Sequence, residues 1–221
     1  GSAFAEEKTE SLPGGVFLHI ESPLLLYDNH IKPLDPDNLD VAATTINSRT
    51  LVPLRAISEH FGAKVSYDKA TNRAIIKFEG KQYLFPINQS KYIVVGQVGH
   101  KTIKSDAKSL IRNNRIMVPF RVIGENILGK KVSYDNGVIA ISNEAINLSK
   151  QSSLVSKVKE KIGTALKARN QAEVAKALKD TSRENTKYQV DGLSSDAVGF
   201  ATEQAQATKE SADSAAYSGG Y

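Results

Sequence analysis

The chain has 221 residues, 40% hydrophobic and 24% charged, within the ordinary range for globular protein. A mean hydropathy of −0.31, with no apolar run near about 18 residues, excludes a helical membrane span. The absence of cysteine excludes disulfides, thiolate zinc sites, iron–sulfur clusters and cysteine nucleophiles together.

The formal net charge of +5 is unevenly spread. Residues 1–50 carry 3 Lys/Arg against 8 Asp/Glu, residues 51–148 carry 15 against 7, and residues 149–221 carry 11 against 9. A basic middle attracts phosphate-rich polymers, whereas the plainer reading is a solvated Lys/Arg surface offset by the acidic start. No recognition helix, RNA-binding motif or run of stacking aromatics accompanies it, so nucleic acid is not an expected partner.

In chain order, Gly1-Ser2 has the look of a cloning remnant. Ala3-Phe4-Ala5 before Glu6-Glu7 has the small-x-small form of a signal-peptidase site, so 1–15 is expected to be a cleavage remnant and flexible start. Apolar runs predict strands at 16–20 and 24–27. Another strand should end at Leu51-Val52, followed by a helix with Pro53 at its first position, where a missing N–H costs nothing. Leu54, Ile57 and Phe61 recur at helical spacing, and Gly62 sits where a left-handed cap is expected. Val65 and Tyr67 alternate with polar neighbours as a strand does. The residues 68–73 form a loose turn into a return strand at 74–78.

The second half repeats this order. Strands are predicted at 83–85, 92–95 and 110–111, and again at Met117-Val118 before Pro119. A helix carries Phe120, Ile123 and Ile127, and Gly129 caps it. A strand with Val132 and Tyr134 leads to Asn136-Gly137, a preferred two-residue hairpin turn, and a return strand at 138–142.

The correspondence is an internal duplication. Residues 47–59 align with 113–125 at an offset of 66. One inserted residue then raises the offset to 67, pairing Gly62 with Gly129, Val65 with Val132, Tyr67 with Tyr134 and Asp68 with Asp135.

From Ile146 the pattern becomes helical. Leu154, Val155, Val158, Ile162, Ala165 and Leu166 form one apolar stripe. Asn170 marks a break, and Val174, Ala177 and Leu178 form a second stripe. A helical hairpin of 152–168 and 171–181 is expected within a 146–199 helical region. The segment 188–192 is ambiguous, and 200–221 reads as a polar linker or helix. The fold class is therefore α+β: two repeated antiparallel sheet modules, 16–79 and 80–143, each with one short helix, then a C-terminal helical segment.

The stretches 47–68 and 113–135 share Arg-x-x-Val-Pro-x-Arg followed by Glu, Gly and Val-x-Tyr-Asp. This pattern resembles the copper amine oxidase N-terminal-like domain, a stalk module common in exported proteins of Gram-positive bacteria. Asn47-Ser48 and Asn113-Asn114 depart from the family's usual Asn-Gly turn, and the second helix has one extra residue before Gly129. The resemblance implies an antiparallel sheet curled around a helix in each copy. It also implies a secreted or wall-associated protein with no catalytic role. A further domain beyond Tyr221, or a cell-wall component, is then the expected partner.

Oxidase chemistry would need three His on copper and a quinone-forming Tyr in an Asn-Tyr-Asp/Glu context. His19, His30, His60 and His100 lack His-x-His spacing and have dissimilar neighbourhoods. Ser66-Tyr67-Asp68 and Ser133-Tyr134-Asp135 lack the Asn, and a catalytic Tyr is not expected twice. No cofactor, metal site or catalytic residue is expected; nor is there a nucleophile elbow, phosphate-binding Gly loop or zinc-protease helix. Arg55, Arg121, Tyr67 and Tyr134 remain as ligand-binding candidates. The Arg residues would meet a shared anion, or pair structurally with Glu59 and Glu125 and reach Asp68 and Asp135. The Tyr residues would stack on a sugar, or pack as strand residues do. The leading expectation is a non-catalytic envelope scaffold or docking module. The runner-up is a binder of anionic or glycan wall polymer through the basic 51–148 region, and an enzyme of unrecognised type comes third.

Overall fold

The structure, a computed structural model, describes residues 12–189. The expectations for the small-x-small triplet and for 200–221 lie outside the described residues, as do those for 190–192.

The first segment, 16–79, supplies β1 (Val16–His19), β2 (Leu24–Tyr27), β3 (His30–Pro33), β4 (Thr44–Ile46), β5 (Arg49–Pro53), α1 (Leu54–His60), β6 (Lys64–Asp68) and β7 (Arg73–Phe78). The second supplies β8 (Lys81–Pro86), β9 (Lys91–Val95), β10 (His100–Lys104), β11 (Leu110–Arg112) and β12 (Arg115–Pro119). It continues through a π-helix (Val122–Ile127) to β13 (Lys131–Asp135) and β14 (Val138–Ser142). A 3-10 turn (Leu148–Lys150) leads into α2 (Ser152–Gln189). Antiparallel sheets with a few helices make the chain α+β.

The strands form three sheets, and each draws on both 16–79 and 80–143. One is ordered β13-β14-β1-β2-β3, a second β10-β9-β8-β7-β6, and the central one β11-β12-β5-β4. In the central sheet β5 runs antiparallel to β12 with Val52 opposite Val118, its own counterpart at the offset of 66. The segments 16–79 and 80–143 thus share sheets: β7 hydrogen-bonds β8 across the Glu79-Gly80 turn, and β14 closes on β1.

Turn chemistry sets the hairpins. Asn47 and Ser48 (φ 50° and 61°), and Asn113 and Asn114 (51° and 63°), hold the paired positive φ that a two-residue type I′ turn requires. Asn136-Gly137 does the same at 45° and 85°. These turns fix the register of β4–β5, β11–β12 and β13–β14.

The main core lies between the sheets and the two short helices. Val52, Val118, Ile57 and Ile123 are fully buried there with Val16, Leu18, Ala74, Ile76, Phe85, Ile139 and Ile141. The first sheet is apolar on both faces, which explains the unbroken apolar runs of β1 and β14. Alternate residues Phe17, Leu24, Leu26, Val138 and Ala140 face a second core with Val155, Val158, Ile162 and Leu166 of α2. Burying each Val, Leu or Ile there stabilises the fold by about 1.5–3 kcal/mol before the entropy of ordering is counted.

Four local expectations are corrected. The helical hairpin 152–168 and 171–181 is one continuous helix of 38 residues. No Pro or Gly follows Gly163 within it, the good helix formers Ala, Lys, Leu, Arg, Glu and Gln together predominate, and Asn170 alone costs well under about 1 kcal/mol. Pro53 precedes α1 as the last residue of β5, with extended φ −63° and ψ 122°, and does not open the helix. Pro119 likewise ends β12. The second short helix is π rather than α: Leu128 N–H donates to the Ile123 carbonyl five residues back, at 3.0 Å. The inserted residue is absorbed as one wide turn, the usual origin of a π-bulge. Gly62 (φ 90°) and Gly129 (φ 65°) occupy the left-handed region expected of helix-terminating glycines. Strands β3, β4 and β10 carry no predicted counterpart, because each is short and lies at a sheet edge with little apolar alternation.

Candidate functional site

Arg55 and Arg121 project from equivalent positions at the starts of the two short helices. Each sits beside the Glu one turn on: Arg55 Nε lies 3.9 Å from Glu59 Oε1, and Arg121 Nη1 lies 3.2 Å from Glu125 Oε1. All four groups are exposed, so each pair contributes only a few tenths of a kcal/mol, about 0.3–0.5. Asp68 does not join the Arg55 pair. It accepts from the Thr71 hydroxyl at 2.6 Å and from Ala70 N–H at 3.0 Å, and the Thr71 bond holds its carboxyl below the usual carboxylate range.

Tyr67 and Tyr134 are 40% and 38% exposed, at equivalent places on β6 and β13. The Tyr67 hydroxyl donates to Asn72 Oδ1, which fixes the ring at the edge of its sheet. Tyr134 packs with its ring 6.4 Å from that of Phe120, and the Arg121 guanidinium lies 4.9 Å over the Phe120 ring.

The structure brings Arg55 and Tyr67 together in a cleft of about 680 Å³. Its floor is Leu54, Val65 and Ile116; its rim is Arg55, Glu59, Tyr67, Arg115 and the loop at 34–37. Arg121 and Tyr134 do not line it. Leu54 stands where the other copy has Phe120, and the smaller side chain leaves room beside Tyr67 that the Phe120 ring occupies beside Tyr134.

The loop is tied to the central sheet by three contacts. Arg115 Nε meets Asp35 Oδ2 at 2.6 Å, Asn38 Nδ2 donates to the Asn113 carbonyl at 2.8 Å, and Asn113 Nδ2 donates to the Asp40 carbonyl at 3.0 Å. Arg49, the counterpart of Arg115, meets Asp106 Oδ2 at 3.2 Å. The repeated Arg at the head of the motif therefore anchors a carboxylate from a neighbouring loop in both copies. Sequence reasoning missed Asp35 and Asp106, because they precede the aligned stretches and have no fixed spacing to the motif.

A second missed pair lies deeper. Arg112 Nη2 is 3.4 Å from Glu21 Oε2, and Glu21 Oε1 accepts from the Thr44 hydroxyl. Glu21 holds a positive φ of 65° just beyond β1.

The four imidazoles are dispersed. His60 stacks edge-on to Tyr27 at 4.7 Å, and His19 faces α2 near Lys159. His30 and His100 open β3 and β10. Burial lowers the pKa of His19 and of His60 below the ordinary value, reinforced by Lys159 and Lys32 respectively. Among the described residues no three His, Asp or Glu side chains cluster as metal ligands would.

The polar members of the repeated motif thus sit at hairpins and loop anchors, while its apolar members sit in the core. Within the cleft, two Arg–carboxylate pairs neutralise each other beside one fixed phenol and an apolar floor, a composition suited to holding a ligand or chain segment. Residues 33–142, from the end of β3 to the end of β14, match the family model described as the copper amine oxidase N-terminal domain. In that family this domain is a non-catalytic, stalk-like domain. No curated protein and no solved structure matches the chain.

Proposed function

We propose that this chain is a non-catalytic extracytoplasmic scaffold or docking module of a Gram-positive cell envelope. In this reading it is the N-terminal part of a larger secreted protein. The repeats 16–79 and 80–143 act together as a platform, α2 braces it, and the chain continues into a further domain. The observation that carries this reading is the use made of the repeated motif. Val52, Val118, Ile57 and Ile123 fill the core, and Arg49 and Arg115 anchor loops through Asp106 and Asp35. Residues spent on packing and anchoring at both copies specify a rigid body. The family match supports the same coarse role.

The test uses the full-length natural protein in its own cells. Protease added to intact cells should cleave it, and deletion of 16–143 should displace it from its normal location. Protection within the cytoplasm would overturn the placement. Amine oxidation by the purified, copper-loaded chain would overturn the non-catalytic role.

A second reading, a binder of anionic or glycan wall polymer, is favoured by one observation. The outward face of the β6–β10 sheet bears exposed Lys64, Lys77, Lys91 and Lys104 around Ile75, Leu84 and Ile93. Salt-sensitive retention on isolated cell walls, weakened by Lys→Gln substitution, is the expected result; retention indifferent to both would exclude the electrostatic form.

A further inference from the structure

The duplication allows each corner of the molecule to be read against its counterpart. Stepping across the ladders from the equivalent residues Val65 and Val132 gives two matching rows. One is Val65–Ile76–Tyr83–Val94–Lys101; the other is Val132–Ile141–Val16–Tyr27–His30. In the second row Tyr27 meets His60 at 4.7 Å, and His60 meets Phe61 at 5.1 Å, so that corner is closed by rings. In the first row Val94 stands in place of Tyr27, and counting 66 from His60 gives Asn126. Neither of those two positions carries a ring here, and a groove of about 680 Å³ opens between the β9–β10 hairpin and the π-helix.

The replacement is polar and cationic. Tyr83 and Tyr92 stand where the other row and its neighbour have Val16 and Leu25. Tyr92 stacks on Phe85 at 5.2 Å, and its hydroxyl accepts from Asn126 Nδ2 at 3.3 Å, leaving its own proton to donate. Asn126 is exposed, and it lies in the π-helix that exists because of the inserted residue. The side chains of Lys81 and Lys101 complete the wall, with Val94 and Ile103 as its apolar part, and among the described residues no carboxylate lines it.

We propose that this groove binds an anionic polyhydroxylated ligand, a polyol phosphate, with Lys81 and Lys101 meeting the phosphate and Tyr83, Tyr92 and Asn126 meeting the hydroxyls. Ammonium groups act as point charges that suit a tetrahedral phosphate, whereas a planar carboxylate favours the fork of Arg. Burial raises the pKa of Tyr83 and of Tyr92, with Glu79 adding to the rise at Tyr83, so both phenols keep their protons as donors at neutral pH. The apolar wall suits the C–H edges of a polyol backbone. This deepens the wall-polymer reading and rests on it.

The experiment is calorimetric titration of the folded chain with a short poly(glycerol phosphate), with polygalacturonate and inorganic phosphate as parallel probes. The double variant Lys81→Gln/Lys101→Gln should weaken poly(glycerol phosphate) binding by about tenfold or more, as loss of charged hydrogen bonds does. Lys150→Gln/Lys167→Gln removes the same charge from exposed positions outside both the groove and the lysine face of the β6–β10 sheet, and should change affinity by less than about twofold. Val94→Tyr should abolish binding by restoring the ring of the other copy. Asn126→Asp, at an exposed position that leaves packing intact, should weaken binding by about tenfold through charge repulsion.

Equal losses in the two lysine doubles would overturn the groove while leaving a diffuse polymer-binding surface standing. No binding by the unsubstituted chain would overturn the groove and the wall-polymer reading together. Polygalacturonate binding as tightly would refute the phosphate assignment, and inorganic phosphate binding as tightly would refute the polyol one.

Discussion

Gly124 lies in the π-helix directly over β13. A Cβ built on it would fall 2.4 Å from Val132 Cγ1 and 3.8 Å from Ile141 Cγ2, whereas real Cβ atoms essentially never come closer than 3.0 Å. Gly124→Ala therefore requires a displacement of at least about 0.6 Å. Val132 is β-branched, hence stiff at χ1, and its backbone is pinned opposite Ile141 in the β13–β14 ladder. Overpacking of this kind costs about 1–3 kcal/mol. Alanine recovers up to about 1 kcal/mol of that through its better helix propensity. The net expectation is a loss of about 1–2 kcal/mol, a fall in Tm of about 2–8 °C for a domain of this size. The chain has no Trp, so far-UV circular dichroism during urea unfolding is the suitable readout. Val132→Ala should cost less in the Gly124→Ala background than alone, because it removes the clashing methyl. A Gly124→Ala variant with the unsubstituted urea midpoint, or strictly additive effects in the double-mutant cycle, would refute the steric basis of this glycine.

Ser58 is the counterpart of Gly124, and its fully buried hydroxyl has no hydrogen-bond partner among the described residues. Ser58→Ala should be neutral or stabilising by about 1 kcal/mol in the same urea assay, since it removes an unpaid desolvation cost. Ser48 holds φ 61° in a type I′ turn, and Ser48→Gly should raise Tm through a gain of about 0.5–1 kcal/mol. Ile162 is buried on the sheet-facing side of α2, whereas Val174 lies outside that core; Ile162→Ala should cost about 2–4 kcal/mol and Val174→Ala under about 0.5 in parallel unfolding curves. His19 and His60 have folded pKa values depressed below 6.5, so the unfolded chain binds protons there more readily. Stability should fall as pH drops through 6.5 toward the lower folded values, and His19→Gln/His60→Gln should flatten that slope in urea midpoints measured at pH 7.5 and 5.5.

The match of 47–59 to 113–125, the apolar strands and the two helix-terminating glycines were legible because each depends on neighbours in the chain. Hydrophobic period, positive φ and the offset of 66 are local or statistical properties of the residues themselves. Arg55–Glu59 and Arg121–Glu125 were legible for the same reason, as pairs one helical turn apart. Asn170 misled because a break signal was weighed without the helix-forming residues on both sides of it. The site fared worse. Arg55 and Tyr67 share a cleft, but Asp35 joins it through Arg115, 80 residues away in sequence. The insertion before Gly129 was visible as a number, yet its conversion into a π-helix that aims Asn126 at Tyr92 needed the packing against β9.

The sequence by itself determined most of the apolar strands, where the short helices end and that residues 47–59 match 113–125 at an offset of 66, since backbone preference and side-chain period act over a few residues. Tertiary structure decided that β6–β7 closes on β8 and β13–β14 closes on β1. It also decided that α2 covers one sheet and not its counterpart, and that one corner is filled by Tyr27 and His60 while the other stands open. Those choices arise from volume and hydrogen bonding between distant residues, where a change of one ring or one inserted residue alters the fit without altering the pattern.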